Sequence, residues 1–472
     1  MKGKKIKAIL SALSSKEMSA FHEFVHSPYF NKNPQLTLLV SFLCERHPNF
    51  DENVFEPEYL ASALSREAPM TAKKLSYLLS DLQQIIDQFL VAERIKEKSY
   101  LREYMCINAL RERNLREVFL PRVLKFQERL AQPGHYHREA LTVRFMVSDI
   151  IAELSDSKIK DMETSLQTAI DNLFELFLTN LLRYAYKSQN RMAIQFLNPP
   201  HIPLLEELEV LFQQYSQSSP GIRIYYLLYA CVREPEKDEY FDQLRILLPQ
   251  HQESLGIRQL RIIYLATINI SLRKMRSNPE KYTQATLDLY TEGIDNRALV
   301  EGNYLSQWTF NNTIKLALRA RQIDWAEDFI NNYQKLVIKE QRTDALGLNL
   351  AELSFARGAF HEALAHLNNV ATTTIRYHIL VSILRIKSFW ELQEFGPAIA
   401  ALSAFKVYLS RTRGIAPPLK KGAQSFCQLL HRISVGGTER KRLETKDLIA
   451  KTGLVIDKPW LMKAFARENP KL

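Results

Sequence analysis

Few residues in this chain are typed and spaced for chemistry. His135 and His137, with Glu139 two residues on, form the densest histidine cluster and offer zinc-ligand chemistry. They follow Pro133-Gly134, a turn signal, and no His-Glu-x-x-His is present, so a solvated loop is the plainer reading. Gly436-Gly437-Thr438 runs into Arg440-Lys441-Arg442 and could bend around an anion. No Gly-x-x-x-x-Gly-Lys or Gly-x-Gly-x-x-Gly accompanies it, and a turn before a helix accounts for the pair. Cys44, Cys106, Cys231 and Cys427 stand far apart, without a Cys-x-x-Cys pair, and read as buried thiols. No Gly-x-Ser-x-Gly elbow occurs, so neither serine nor cysteine has a motif-specified base. Acid pairs such as Glu206-Glu207 belong to polar helix faces. The expectation is a non-enzymatic protein with no metal and no cofactor.

What must position side chains here is helix. Glycine is scarce, 14 in 472 residues, and Leu, Ala, Glu, Gln, Lys and Arg fill most segments. Tight hairpins and phosphate loops need glycine, whereas those six residues are good helix formers, so the class is all-α. Ser14 and Glu17 form a Ser-x-x-Glu capping box, which starts a helix that Ser27-Pro28 stops. Asn33-Pro34 starts a second helix, with asparagine as cap and proline at the first helical position. A long helix is predicted from about Ala72 to Arg94, its face marked by Leu75, Leu78, Leu79, Leu82, Ile85, Ile86, Phe89 and Leu90. Asn198-Pro199-Pro200, Ser219-Pro220-Gly221 and Glu234-Pro235 break the remainder into antiparallel helix pairs. Tyr225, Tyr226 and Tyr229 fall at helical spacing and read as core.

The most apolar stretch, Ile222 to Val232, is 11 residues long and contains Arg223, far short of a membrane span. The basic Met-Lys-Gly-Lys-Lys-Ile-Lys start lacks an apolar signal region. A soluble, cytoplasmic protein with no membrane contact is expected. Charge is uneven along it. The chain has 63 basic and 52 acidic side chains, a net of +11, and Lys406 to Leu472 alone holds 15 against 5. A basic end on a nearly neutral body suggests an acidic partner, nucleic acid among them.

Trp325, Phe360 and Phe395 are equally spaced by 35 residues, within related segments. A fixed period of roughly 20–50 residues marks stacked supersecondary units that bury their apolar faces against one another. The middle segment has Leu350 and Ala351, then Gly358, then Phe360, Ala363 and Leu367. This resembles the tetratricopeptide-repeat family over about residues 310–409. The last copy keeps Phe395, Ala398 and Leu402 but has Gln393 where glycine is usual. The first keeps Trp325 but has Asp328 at the small position, and none has the closing proline. The resemblance implies a helical-repeat solenoid of antiparallel helix pairs, with the three aromatic rings turned inward.

Three parts are expected: an N-terminal helical module (1–98), a tetratricopeptide-like region (99–410) and a basic helical cap (411–472). The family's ligand peptides lie against the first helices of successive repeats. Carried onto matching positions, that groove would include Leu348, Glu352, Phe355, Lys387 and Trp390. The family's carboxylate clamp of Lys and Asn is not matched, since Leu348, Glu352, Ile383 and Lys387 stand there. The leading expectation is a scaffold that binds another protein or peptide. The alternative is nucleic-acid binding through Lys420, Lys421, Arg432, Arg440, Lys441 and Arg442, interleaved with Phe426, Trp460 and Phe465.

Overall fold

A computed structural model describes residues 2–468, apart from 52, 65–70, 133–135, 155–161, 196–200, 203–204, 206–207, 217–218, 254 and 372–373. His135 and the Glu206-Glu207 pair lie outside the described residues. Among those described are 23 α-helices and one two-stranded sheet, so the chain is all-α. None of these helices is long and apolar enough to cross a membrane. The chain divides into two compact units, Met1–Leu176 and Phe177–Leu472. The division falls inside a helix, at neither residue 98 nor residue 410.

The first unit holds α1 (Lys2–Ala12), α2 (Ser15–His26), α3 (Pro34–Cys44), α4 (Pro57–Leu64), α5 (Ala72–Glu97), α6 (Ser99–Glu112), α7 (Arg116–Ala131), α8 (Arg138–Ala152) and the start of α9 (Met162–Gln195). The Ser14–Glu17 capping box closes in both directions, and the Asn33 side chain accepts from the Gln35 amide. These caps satisfy backbone donors that a helix start leaves open. Along α5, Leu75, Leu78, Leu79, Leu82, Ile85, Ile86 and Phe89 are buried, each contributing about 1.5–3 kcal/mol of apolar burial. Leu90, expected with them, is exposed.

The second unit continues with α10 (Glu209–Ser216), α11 (Pro220–Arg233), α12 (Asp238–Gln250), α13 (Ile257–Ser277) and α14 (Pro279–Asp295). A short hairpin, β1 (Val300–Glu301) and β2 (Tyr304–Leu305), follows. After it come α15 (Gln307–Arg319), α16 (Ile323–Tyr333), α17 (Lys339–Ala356), α18 (Phe360–Asn368), α19 (Ile375–Glu391) and α20 (Phe395–Arg411). The chain ends with α21 (Pro417–Val435), α22 (Glu439–Lys451) and α23 (Lys458–Glu468). Sequence neighbours pack on one another throughout, as short loops between antiparallel helices require. Tyr225, Tyr226 and Tyr229 lie in the core, as their spacing predicts.

Three turns in this unit share one geometry. Arg321, Gly358 and Gln393, 37 and 35 residues apart, take φ of 60°, 81° and 63°. The next amide in each case reaches five residues back, Gln322 to Ala317, Ala359 to Ser354 and Glu394 to Phe389, all at 2.9 Å. This is the left-handed helix end in which an otherwise open carbonyl is satisfied. Counting from the turns aligns the three helix pairs. Ile323, Phe360 and Phe395 open the second helices, and Ala326, Ala363 and Ala398 lie buried three residues on. Ile330, Leu367 and Leu402 follow, also buried. The first pair thus aligns on Ile323 and Ala326, two residues before the Trp325 and Asp328 of the sequence reading.

The expectation of inward-facing rings is corrected with it. Trp325 and Phe360 are half-buried and Phe395 is exposed. Phe360 meets Phe355 edge-on at 5.2 Å and Phe395 meets Trp390 at 5.1 Å, so both cover a helix end. A residue in the first turn of a helix lies at the rim of the crossing, while the alanine one turn later lies inside it.

Candidate functional site

The helices that precede the three turns, α15, α17 and α19, carry one charged residue six places before each turn: Lys315, Glu352 and Lys387. Lys315 pairs with Glu352 at 3.7 Å. Lys387 donates to Asp457 Oδ2 at 2.5 Å, with its ammonium 4.4 Å from the Phe355 ring and 5.7 Å from Trp460. Burial pushes the Asp457 carboxyl up, but the charge and hydrogen bond of Lys387 prevail and hold it below the usual range. Trp460 donates to Glu391 at 2.7 Å, and Arg467 pairs with the other oxygen of that carboxylate.

This face is closed by the chain itself, which corrects the groove expected there. Leu348, Lys387 and Trp390 are buried. Leu348 packs with Leu367 and Tyr377, and Trp390 with Phe426 and Trp460. Phe355 is half-buried beneath Lys387, and Glu352 is held by Lys315. On α15 and α17, Asn349 donates to Asn311 at 2.6 Å and Asn311 to the Tyr377 hydroxyl at 3.1 Å, filling the space between the helices. Asp457, the residue that neutralises Lys387, lies 70 positions away in sequence and carries no local motif.

The basic residues of the C-terminal part sit on two helices. On α21, Lys420 is half-buried, while Lys421 and Arg432 are exposed and, three turns apart, share a face. Arg440, Lys441 and Arg442 form the exposed start of α22, and Arg440 pairs with Glu444 at 3.3 Å. Phe426, Trp460 and Phe465 are buried in the core of this region. They are therefore unavailable to stack on bases, contrary to the interleaving read from sequence. Gly436 and Gly437 make the turn between the helices at positive φ.

An open groove runs between α14 and α16. Two adjoining cavities, about 290 and 220 Å³, share Thr291, Asp295 and Trp325 in their walls. Asp288 and Glu292 line the first, Asp328 and Tyr333 the second, and no Lys or Arg lines either among the described residues. Arg245 approaches from behind, 3.5 Å from Asp288 and 3.6 Å from Glu292. Burial raises the Glu292 carboxyl, Arg245 lowers it, and the neighbouring Asp288 and Asp295 raise it further; the net direction is up. One Glu292 oxygen is buried with no hydrogen bond. Trp325, Phe329 and Tyr333 stack in sequence at 5.2 and 4.5 Å, giving the groove an aromatic wall.

No family model matches the chain, and no curated protein or solved structure does.

What this chain can do must come from its own groups. His137 serves as the cap of α8, accepting from the Ala140 amide. The Cys231 and Cys427 thiols are pushed up by burial to about 12, and Cys44 to about 11, so they stand protonated rather than poised as nucleophiles. All four cysteines are free thiols. Among the described residues no three His, Cys, Asp or Glu side chains converge as a metal site. The α14–α16 groove instead pairs carboxylates with aromatic faces, the arrangement that attracts an organic cation. Sequence reasoning passed over it because its acids are spread over 41 residues and its tryptophan had been assigned to the helix crossing.

Proposed function

We propose that this chain is a non-enzymatic scaffold of tetratricopeptide-like helix pairs over α15–α20, and that it holds another protein by a basic segment in the α14–α16 groove. The observation that carries the proposal is the convergence of Asp288, Glu292, Asp295 and Asp328 on Trp325, with no cation in the groove walls. The repeated turns at Arg321, Gly358 and Gln393, each followed by a buried alanine, support the repeat architecture. Such stacks present surfaces more often than reactive groups. The proposal includes a cytoplasmic location, which four free cysteines support.

The test is an affinity pull-down with full-length protein and with the triple variant Trp325→Leu, Asp295→Asn, Asp328→Asn. The expected result is a partner with a Lys- or Arg-rich segment, retained at low salt, weakened at high salt and lost from the variant. Identical partners on both proteins would remove the groove from the proposal.

A second reading, nucleic-acid binding, is favoured by Lys421, Arg432, Lys441 and Arg442, which are exposed and form no ion pair among the described residues. Phosphate contacts release counterions, so binding should fall steeply with salt. A gel-shift titration with single- and double-stranded DNA and RNA, comparing the full chain with a charge-reversed form of those four residues, decides it. No shift at low salt ends this reading.

A further inference from the structure

The loop between α2 and α3 is held far more firmly than a connection needs. The Asn31 carboxamide donates to the Val25 carbonyl at 3.0 Å, the Asn33 carbonyl at 3.2 Å and the Thr37 hydroxyl at 3.0 Å. Its oxygen accepts from the Asn33 amide at 2.8 Å. Phe30 stacks on Phe24 at 3.9 Å, and Phe24 meets the core residue Phe89 at 5.6 Å. At the outer end of this chain of rings stands Tyr29, 86% exposed, its ring edge-on to Phe30. A large ring fixed in water loses little freedom when a partner covers it, which is the character of an interface anchor.

Beside this loop lies a cavity of about 420 Å³, closed on its other side by α5. Leu36, Ile85 and Phe30 form an apolar floor. Lys32 stands on the loop side, and Asp81, Gln84 and Gln88 stand in a row on α5. These four are exposed and make no hydrogen bond or ion pair among the described residues. Gln84 and Gln88 are separated by about 6 Å along the helix axis. Two residues of an extended peptide advance about 6.8 Å, close enough for both carboxamides to meet the main chain of one strand. One cation opposite one anion leaves the rim neutral, which suits a peptide and gives a phosphate backbone no net attraction.

We infer that the groove between the Pro28–Asn33 loop and α5 binds an extended peptide segment of a partner protein. Its main chain pairs with the carboxamides of Gln84 and Gln88, and an apolar side chain rests on Leu36 and Ile85. An acidic neighbour faces Lys32 and a basic one faces Asp81, while Tyr29 covers the segment from outside. This site is separate from the α14–α16 groove and stands whether or not that groove binds.

The experiment selects a phage library of random peptides, about twelve residues long, on the full-length protein. The expected outcome is enrichment of peptides with an apolar residue between charges of opposite sign. Those peptides should lose about tenfold or more in affinity for the Gln84→Ala, Gln88→Ala variant and for Tyr29→Ala. N-methylation of alternate peptide amides should cost as much, since it removes the donors that the carboxamides accept. All three positions are exposed, so the variants should keep the parent's circular dichroism and melting behaviour. Failure to enrich any peptide overturns the inference, as does enrichment of peptides indifferent to these substitutions. Single-stranded oligonucleotide binding abolished by the two glutamine substitutions would also overturn it, and would give the groove to nucleic acid.

Discussion

Two surfaces of the second unit use the same materials, aromatic rings and charge, to opposite ends. On the first-helix face of α17 and α19, Phe355 and Trp460 flank Lys387, and Asp457 matches its charge. Between α14 and α16, Trp325 and Tyr333 adjoin Asp288, Glu292, Asp295 and Asp328, and among the described residues only Arg245, paired with Asp288 and Glu292, offsets the four carboxylates. A balanced pair taken out of water is a structural contact, since each charge is retained by the other. Four carboxylates against one arginine around an open aromatic wall leave a negative potential that a cationic partner would neutralise. The comparison teaches that aromatic and charged residues on a helix face mark a groove only when the chain leaves their charge in excess.

The sharpest way to break that contrast is Asp457→Asn. It leaves the Lys387 ammonium buried without its counter-charge, and such a loss costs about 3–5 kcal/mol. The pH dependence has a definite sign. Asp457 titrates below its ordinary range in the folded chain, so its contribution is complete above that range and disappears as pH falls through the depressed value. Urea unfolding at neutral pH should therefore separate parent and variant widely, and the gap should close in acid. Equal midpoints at neutral pH would mean that the first-helix face is not closed by this pair.

Next in size comes Ala326→Leu. Ala326, Ala363 and Ala398 are each buried at the same distance from a repeated turn, where two helices approach closely. A larger side chain at any of the three should cost about 1–3 kcal/mol. Asp328→Leu, at an exposed position, should change stability by no more than about 0.5 kcal/mol. Thermal melts of the four variants check the frame. If Asp328→Leu were the damaging change, Trp325 would return to the crossing and leave the groove.

That difference of two residues shows what the sequence could and could not disclose. Helix starts were legible because Ser14 with Glu17, and Asn33 with Pro34, solve a local backbone problem with neighbouring residues. The tyrosines of α11 were legible because burial follows helical period. The first of the three related segments was misframed because Arg321, a residue that seldom takes positive φ, occupies the turn that Gly358 marks in the next segment. Lys387 was misread as groove-lining because its partner comes from a distant helix start. The Asn31 bracing was equally hidden, since a Pro-Tyr-Phe-Asn-Lys-Asn-Pro loop looks like any turn until its hydrogen bonds are seen.

The smallest effect reads the open groove directly. Glu292 is raised by burial and by Asp288 and Asp295, with Arg245 opposing, so the folded chain holds that proton more tightly than the unfolded chain. The sign is opposite to that of Asp457. An acid raised on folding costs stability at neutral pH, and the cost fades as pH falls through the raised value. Glu292→Gln should therefore stabilise the protein at neutral pH and make little difference in acid. The side chain is about a third exposed, so screening limits the gain to a few tenths of a kcal/mol, about 1 kcal/mol at most. A bound basic peptide should reverse the ranking, because the parent then gains an attraction that the variant has lost. Parent and variant melted with and without a Lys-rich peptide test both halves: a substitution that destabilises the free protein would show that Arg245 already balances Glu292, and the groove would join the closed face as a structural contact.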